Sequence, residues 1–172
     1  MAAALRPLSP PRLFGAPVAR VRLRTLLLAR WLAIAGQAVA LLTAKFVLGV
    51  DLPLDAALAA VAASLLLNLL LILARPAALL GERGVAALLG WDTVQLGVLL
   101  YLTGGLINPF AILLLAPVVI AATILSRWAT FALVVLCTVT ASVLVNHHLP
   151  LPWTAAPFDL PVLYLAGIWA AR

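Results

Sequence analysis

Long apolar runs, separated by short polar segments, dominate the chain from residue 26 onward. The runs are continuous rather than alternating, which predicts membrane-spanning α-helices and disfavours a β-barrel. The pattern predicts six spans, at residues 26–48, 54–74, 85–103, 109–126, 129–147 and 162–172. The sixth run ends at Arg172, at about half the roughly 20 residues that a span needs. We therefore expect an all-α, six-span helical bundle whose sixth span is truncated.

Composition agrees with the membrane class. Of the 172 residues, 66% are hydrophobic, and only 16 are charged, 11 basic and 5 acidic. A soluble domain needs a more polar exterior than this composition can supply. Residues 1–24 are rich in proline and arginine and predict a basic cytoplasmic tail, which leaves residues 25–172 as the membrane domain. The net charge of +6 does not indicate nucleic-acid binding, because its placement follows membrane topology.

Basic and acidic side chains segregate to opposite sides of the predicted bundle. Three of the five acids, Asp51, Asp55 and Asp159, fall on one side, with Lys45 near them. The other ten basic residues all fall on the opposite side: Arg6, Arg12, Arg20, Arg22, Arg24, Arg30, Arg75, Arg83, Arg127 and Arg172. Loops rich in arginine stay in the cytoplasm, so we expect a cytoplasmic N-terminus.

The loop between the third and fourth predicted spans reads YLTGGLINPF and lies on the outer side in this topology. Hairpin geometry alone accounts for its residues. Gly104 and Gly105 end a helix readily, because glycine adopts positive φ without strain. Asn108 is a good N-cap, and Pro109 suits the first helical position because it has no amide to satisfy.

The same residues also suit a binding site. A helix N-terminus near the interface presents free backbone amides, Asn108 can donate or accept, and Phe110 can stack on a ring. A lipophilic ring with carbonyl acceptors, such as a quinone, fits this description. Pro117 adds a predicted kink, since it removes a helix hydrogen bond and disturbs the carbonyl of Leu113. Hairpin and site remain alternatives at this point.

Polar residues on the third span form a second candidate. At 100° per residue, Asp92, Gln95 and Thr103 share one face, whereas Tyr101 points to the opposite side. An ionisable group inside a membrane is functional or pairs with a partner to hold helices together. Asp92 is roughly 18 Å from the loop along the helix, which favours packing or signal relay over ligand contact.

Other signals are weaker. Gly36, Ala40 and Ala44 form a small-residue ridge on the first span, suited either to a dimer face or to packing within the chain. Cys137 lies in an apolar run and predicts a packing residue. No metal site is expected, because the acids and histidines do not form a ligand cluster.

These motifs resemble the RegB/PrrB/ActS family of redox-sensing histidine kinases. The membrane domain of that family carries a GGxxNPF heptapeptide, matched here by Gly104, Gly105, Asn108, Pro109 and Phe110. The resemblance extends to LLLARWLAIAGQ in the first span, DLPL after it and the HLPLPW segment. It therefore covers nearly all of the chain beyond about residue 20.

The resemblance implies a sensor in a bacterial inner (cytoplasmic) membrane, working as a homodimer. The heptapeptide would bind ubiquinone, and the oxidised pool would restrain autophosphorylation of a cytoplasmic kinase region. That region would bind ATP and pass phosphate to a response regulator. Asp92, Gln95 and Pro117 would then relay the signal or pack the bundle.

This chain departs from the family pattern because it stops inside the sixth predicted span. No phosphoacceptor histidine motif or ATP-binding segment is present, so we expect the chain alone to be inactive as a phosphotransferase. A small transporter or channel is the alternative, but it calls for inverted repeats or a polar lining that the sequence does not display. A lipid or isoprenoid enzyme would need clustered acids or a metal site.

Overall fold

The computed structural model describes residues 21–74 and 79–150. These residues form five α-helices: α1 (Leu23–Phe46), α2 (Leu54–Ala74), α3 (Glu82–Leu102), α4 (Ala116–Ile124) and α5 (Arg127–Asn146). Two 3₁₀ segments, Gly105–Ile107 and Pro109–Leu115, connect α3 to α4. Two-residue strands β1 (Val21–Arg22) and β2 (Leu79–Leu80) pair antiparallel, with Val21 opposite Leu80. The β1–β2 pair therefore brings together the chain segments that lead into α1 and α3.

Four of the described helices are long and apolar enough to cross a membrane: Leu26–Phe46 within α1, together with α2, α3 and α5. They confirm the helical membrane class and reproduce the boundaries of four predicted spans to within three residues. Residues 1–20 and the predicted sixth span, 162–172, lie outside the described residues. The six-span count and the cytoplasmic N-terminus therefore stay predictions.

The predicted fourth span, 109–126, is a composite of the 3₁₀ segment Pro109–Leu115 and the nine-residue α4. A 3₁₀ helix rises about 2.0 Å per residue, against about 1.5 Å for an α-helix. Seven residues of the first kind and nine of the second extend roughly 28 Å, close to the roughly 30 Å of the hydrocarbon core. The stretched backbone thus gives this short segment nearly the length of a span.

The structure corrects the hydrogen-bond disturbance predicted at Pro117. This proline occupies the first turn of α4, where its missing amide leaves no helix bond unmade. The carbonyl of Leu113, which we expected to be disturbed, accepts a hydrogen bond from the amide of Ala116. The reason is the i→i+3 bonding upstream, which ends where the proline begins a new α-helix.

Helix α3 is the centre of the described bundle. Half of its membrane-span window is buried, against 22% for the other three spans. It packs on α2, α4 and α5, whereas α1 packs chiefly on α2. One apolar cluster joins α3, α5 and the 3₁₀ segments: Leu96, Leu100, Leu106, Ala111, Leu114, Cys137 and Leu144. Because α1 is held mainly by α2, it stands beside α3 and α4 and leaves space between them.

Polar contacts fix the two ends of the bundle. At one end, the carboxylate of Glu82 accepts a hydrogen bond of 3.0 Å from the amide of Ser126, which joins the start of α3 to the α4–α5 turn. At the other end, Lys45 Nζ lies 2.8 Å from an exposed Asp51 carboxylate. This hydrogen bond and charge hold the pKa of Asp51 below its ordinary value.

Candidate functional site

The loop after α3 turns through two glycines in the left-handed region. Gly104 has φ 97° and Gly105 has φ 62°, angles that other residues rarely adopt. Asn108 then caps the following segment, and Pro109 stands at its start. The predicted helix end and helix start are both confirmed, although the new helix begins as 3₁₀ rather than α.

The side chain of Asn108 forms all its observed hydrogen bonds within the loop. Its Oδ1 accepts from the amide of Phe110 at 2.9 Å, and its Nδ2 donates to both the carbonyl and the hydroxyl of Thr103, at 3.0 and 2.8 Å. The amide of Ala111 donates to the Asn108 carbonyl at 2.9 Å. The expectation of free amides is therefore wrong for Phe110 and Ala111, because Asn108 accepts a hydrogen bond from each of them.

The chain beyond α5 folds over this loop. The amide of Leu149 donates to the carbonyl of Tyr101 at 2.9 Å. The imidazole of His148 packs directly against Gly105, where an added Cβ would lie 2.7 Å from the ring carbon Cγ. Gly105 is thus required twice, for its positive φ and for the space that the ring occupies.

A groove of about 460 Å³ runs from this loop along the space between α1, α3 and α4. Thr103, Asn108 and Phe110 line its loop end, and Phe110 is half exposed. Pro117 lines the α4 side. Half of the α1 residues that line the groove are small: Ala29, Ala33, Gly36, Ala40 and Ala44. The predicted small-residue ridge therefore faces this groove, and whether it also forms a dimer face stays a prediction.

One buried ion pair crosses the groove. Arg30 Nη1 of α1 lies 2.5 Å from Asp92 Oδ1 of α3, and it also donates to the carbonyl of Leu88 at 3.3 Å. Arg30 Nε donates to Oδ1 of Asn68 on α2 at 2.7 Å. The guanidinium thus ties three helices together within the membrane span. Its Nη2 and the Asn68 Nδ2 are buried and have no hydrogen-bond partner among the described residues.

An amide pair crosses the groove next to it. Gln95 Nε2 donates to Gln37 Oε1 at 2.9 Å, and Gln37 Nε2 lies 3.5 Å from Gln95 Oε1. We call the four side chains of Arg30, Gln37, Asp92 and Gln95 the polar section of the groove. The rest of its wall is almost entirely apolar.

The structure places the predicted polar face of α3 in the groove. Asp92, Gln95 and Thr103 all line it, while Tyr101 lies outside it and is partly exposed. The partner of Asp92, Arg30, was not predicted, because its charge had placed it among the cytoplasmic arginines. The signal was available: a carboxylate inside a span needs a partner, and Arg30 is a basic residue inside an apolar run.

The chain is similar to the sensor histidine kinase RegB of Cereibacter sphaeroides, with 38% identity over 152 residues. The match covers 87% of this chain and 33% of RegB, so the chain spans about a third of the length of that relative. A second RegB sequence of Cereibacter sphaeroides is 48% identical over 50 residues, which is 29% of this chain and 11% of that protein. No protein-family model matches the chain, and no solved structure does. The resemblance seen in the GGLINPF loop is thereby confirmed: this helical membrane segment is related to the sensor histidine kinase RegB.

Proposed function

We propose that this chain is the membrane sensor region of a redox-responsive histidine kinase and that it binds ubiquinone in the groove beside the GGLINPF loop. The relation to RegB supports the sensor assignment. The observation that carries the quinone assignment is the position of the loop, because Asn108 and Phe110 stand at the mouth of an apolar groove of ligand size. Gly104, Gly105 and Pro109 hold that mouth in shape.

The output would run through a cytoplasmic kinase region that binds ATP and passes phosphate to a response regulator. Quinone occupancy would shift the packing of α1 against α3, and the shift would reach the kinase through the remaining spans of a homodimer. A ligand can shift such an equilibrium only by its difference in affinity for the two helix arrangements. Groups that bridge α1 and α3, such as Asp92 and Gln95, are suited to supply that difference.

A titration of the purified chain in lipid nanodiscs tests the quinone assignment. Decylubiquinone quenches tryptophan fluorescence on contact, and Trp31 and Trp91 lie on the two helices that flank the groove. We expect saturable quenching that weakens roughly tenfold in Phe110→Ala, since the large apolar surface of Phe110 at the groove mouth is lost.

Matched controls are available on α5, away from the groove. Phe131→Ala removes an exposed phenylalanine, and Asn146→Ala removes an asparagine amide that bonds only within its own helix. Both should bind decylubiquinone as the wild type does. Quenching that never saturates, or an identical affinity in Phe110→Ala and Phe131→Ala, would refute the site.

A further inference from the structure

The loop end of the groove has little to offer a carbonyl oxygen. A carbonyl needs a hydrogen-bond donor, and both Nδ2 hydrogens of Asn108 already go to Thr103. The hydroxyl of Thr103 donates to the carbonyl of Leu99 at 2.6 Å. The amide of Phe110 is taken as well. The loop therefore offers the apolar face of the Phe110 ring, and the hydrogen-bond donors for a head group must come from elsewhere along the groove.

The polar section holds the donors that remain. Arg30 lines the groove, but its Nη2 is buried with no accessible surface, so Gln37 and Gln95 are the donors that a ligand can reach. Gln37 and Gln95 each use one amide hydrogen in their mutual contact, which leaves one hydrogen on each for another acceptor. These donors lie about 12 Å from Thr103 along α3, counted from Gln95.

Charge balance selects the kind of acceptor. Asp92 already neutralises Arg30, and no other charged residue lines the groove among the described residues. An anionic group placed there would face the Asp92 carboxylate and bring an uncompensated charge into an apolar site. A neutral acceptor, such as a ring carbonyl, can accept hydrogen bonds from these donors without changing the net charge of the groove.

The α1 wall leaves room for such a group. Ala33 and Gly36 are exposed, and an added Cβ on Gly36 would meet nothing within 4 Å. Large side chains at these positions would fill the space beside Gln37. The small-residue ridge therefore keeps the polar section accessible from the side of α1.

We propose that the carbonyl-bearing head group of a neutral membrane lipophile binds at the polar section, with Gln37 and Gln95 as its donors, while the loop shapes the groove entrance. This inference rests on the proposed function and moves the head group from the loop to the middle of α1 and α3. Asp92 pairs with Arg30 and cancels its charge, so the polar section is neutral overall.

Photolabelling of the full chain locates the head group directly. The probe is a decyl-benzoquinone with an azide on its ring, in phosphatidylcholine nanodiscs, and excess decylubiquinone defines the specific labelling. We expect protected labels, mapped by mass spectrometry, within residues 30–37 or 92–96. Protected labels confined to residues 101–113 would overturn this inference and leave the proposed function standing. The absence of any protected label would overturn both.

Substitution of the amides tests the donors. Gln95→Met and Gln37→Met preserve side-chain length, and each should weaken decylubiquinone binding roughly fivefold to tenfold, as expected for one lost hydrogen bond. Asn146→Met is the matched control and should bind normally. Circular dichroism checks that helix content is retained.

Competition by decanoate tests the charge argument. This anion matches the probe in chain length but carries a carboxylate, so it should not reduce protected labelling at concentrations where decylubiquinone does. Wild-type affinity in both glutamine variants, or equal protection by decanoate, would contradict the assignment.

Discussion

Removal of the Asp92 carboxylate should destabilise the bundle strongly, because it leaves a buried guanidinium with neutral partners only. The Arg30 side chain is 7% exposed and that of Asp92 is 28% exposed, so solvent screens their interaction little. The pair bridges α1, which otherwise packs mainly on α2, to α3 at the centre of the bundle. Asp92→Leu tests the pair with an apolar residue of similar size.

The structure sets the size of the effect. Breaking a buried ion pair by removing one partner typically costs about 3–5 kcal/mol, and a lone arginine at the centre of a membrane helix costs about 2.5–3.5 kcal/mol. Arg30 keeps its hydrogen bonds to Asn68 and to the carbonyl of Leu88, which lowers the loss. We therefore expect Asp92→Leu to lose about 2–4 kcal/mol of unfolding free energy. Arg30→Met combined with Asp92→Leu removes both charges and should stay within about 1.5 kcal/mol of wild type.

Unfolding by sodium dodecyl sulfate in mixed micelles, followed by circular dichroism and tryptophan fluorescence, measures these differences. Asp51→Leu is the matched control, since its carboxylate also pairs with a basic residue but is 78% exposed. Its unfolding should match that of the wild type within error. Wild-type stability in Asp92→Leu, or a double variant as unstable as the single one, would refute the reasoning.

Two glycine positions give further predictions under the same unfolding assay. Gly97→Ala should lose about 1–3 kcal/mol, because its Cβ would lie 2.5 Å from Cγ2 of Thr140 across the α3–α5 contact, and Thr140→Ser should restore most of that loss; absence of rescue would contradict the assigned clash. Gly105→Ala should lose at least about 2 kcal/mol, since it meets both a positive φ and a histidine ring. Gly36→Ala is the control and should be at least as stable as the wild type, because its Cβ meets nothing and alanine favours a helix more than glycine does. Equal stability of these two variants would show that the loop geometry is misassigned.

Continuous apolar runs were sufficient to predict most of the described fold. The apolar run of α2 lies between two prolines, Pro53 and Pro76, so the helix boundaries coincide with the predicted ones. The segment after Asn108 shows where this reasoning fails. Apolarity does not distinguish 3₁₀ from α-helix, and the effect of Pro117 depends on which hydrogen bonds the preceding turn makes. A proline rule that assumes a regular helix upstream therefore predicted the wrong disturbance.

The candidate site was predictable only where a single helix or loop carries it. Helical spacing alone placed Asp92, Gln95 and Thr103 on one face, and turn chemistry alone predicted the Asn108 cap. Contacts between helices followed from neither, because a sequence pattern does not show which faces meet. The pairing of Arg30 with Asp92 belongs to this class.

These contacts between helices also suggest how a bound ligand would act on the bundle. Helix α1 is held chiefly by α2, and two polar pairs, Arg30–Asp92 and Gln37–Gln95, link its middle to α3. A head group that accepts hydrogen bonds from the two glutamines would compete with or reinforce these links, so its binding free energy would depend on the spacing of α1 and α3. That dependence is the differential affinity that a sensor requires. A ligand that contacted the loop alone would leave both polar pairs unchanged and would have little effect on the position of α1.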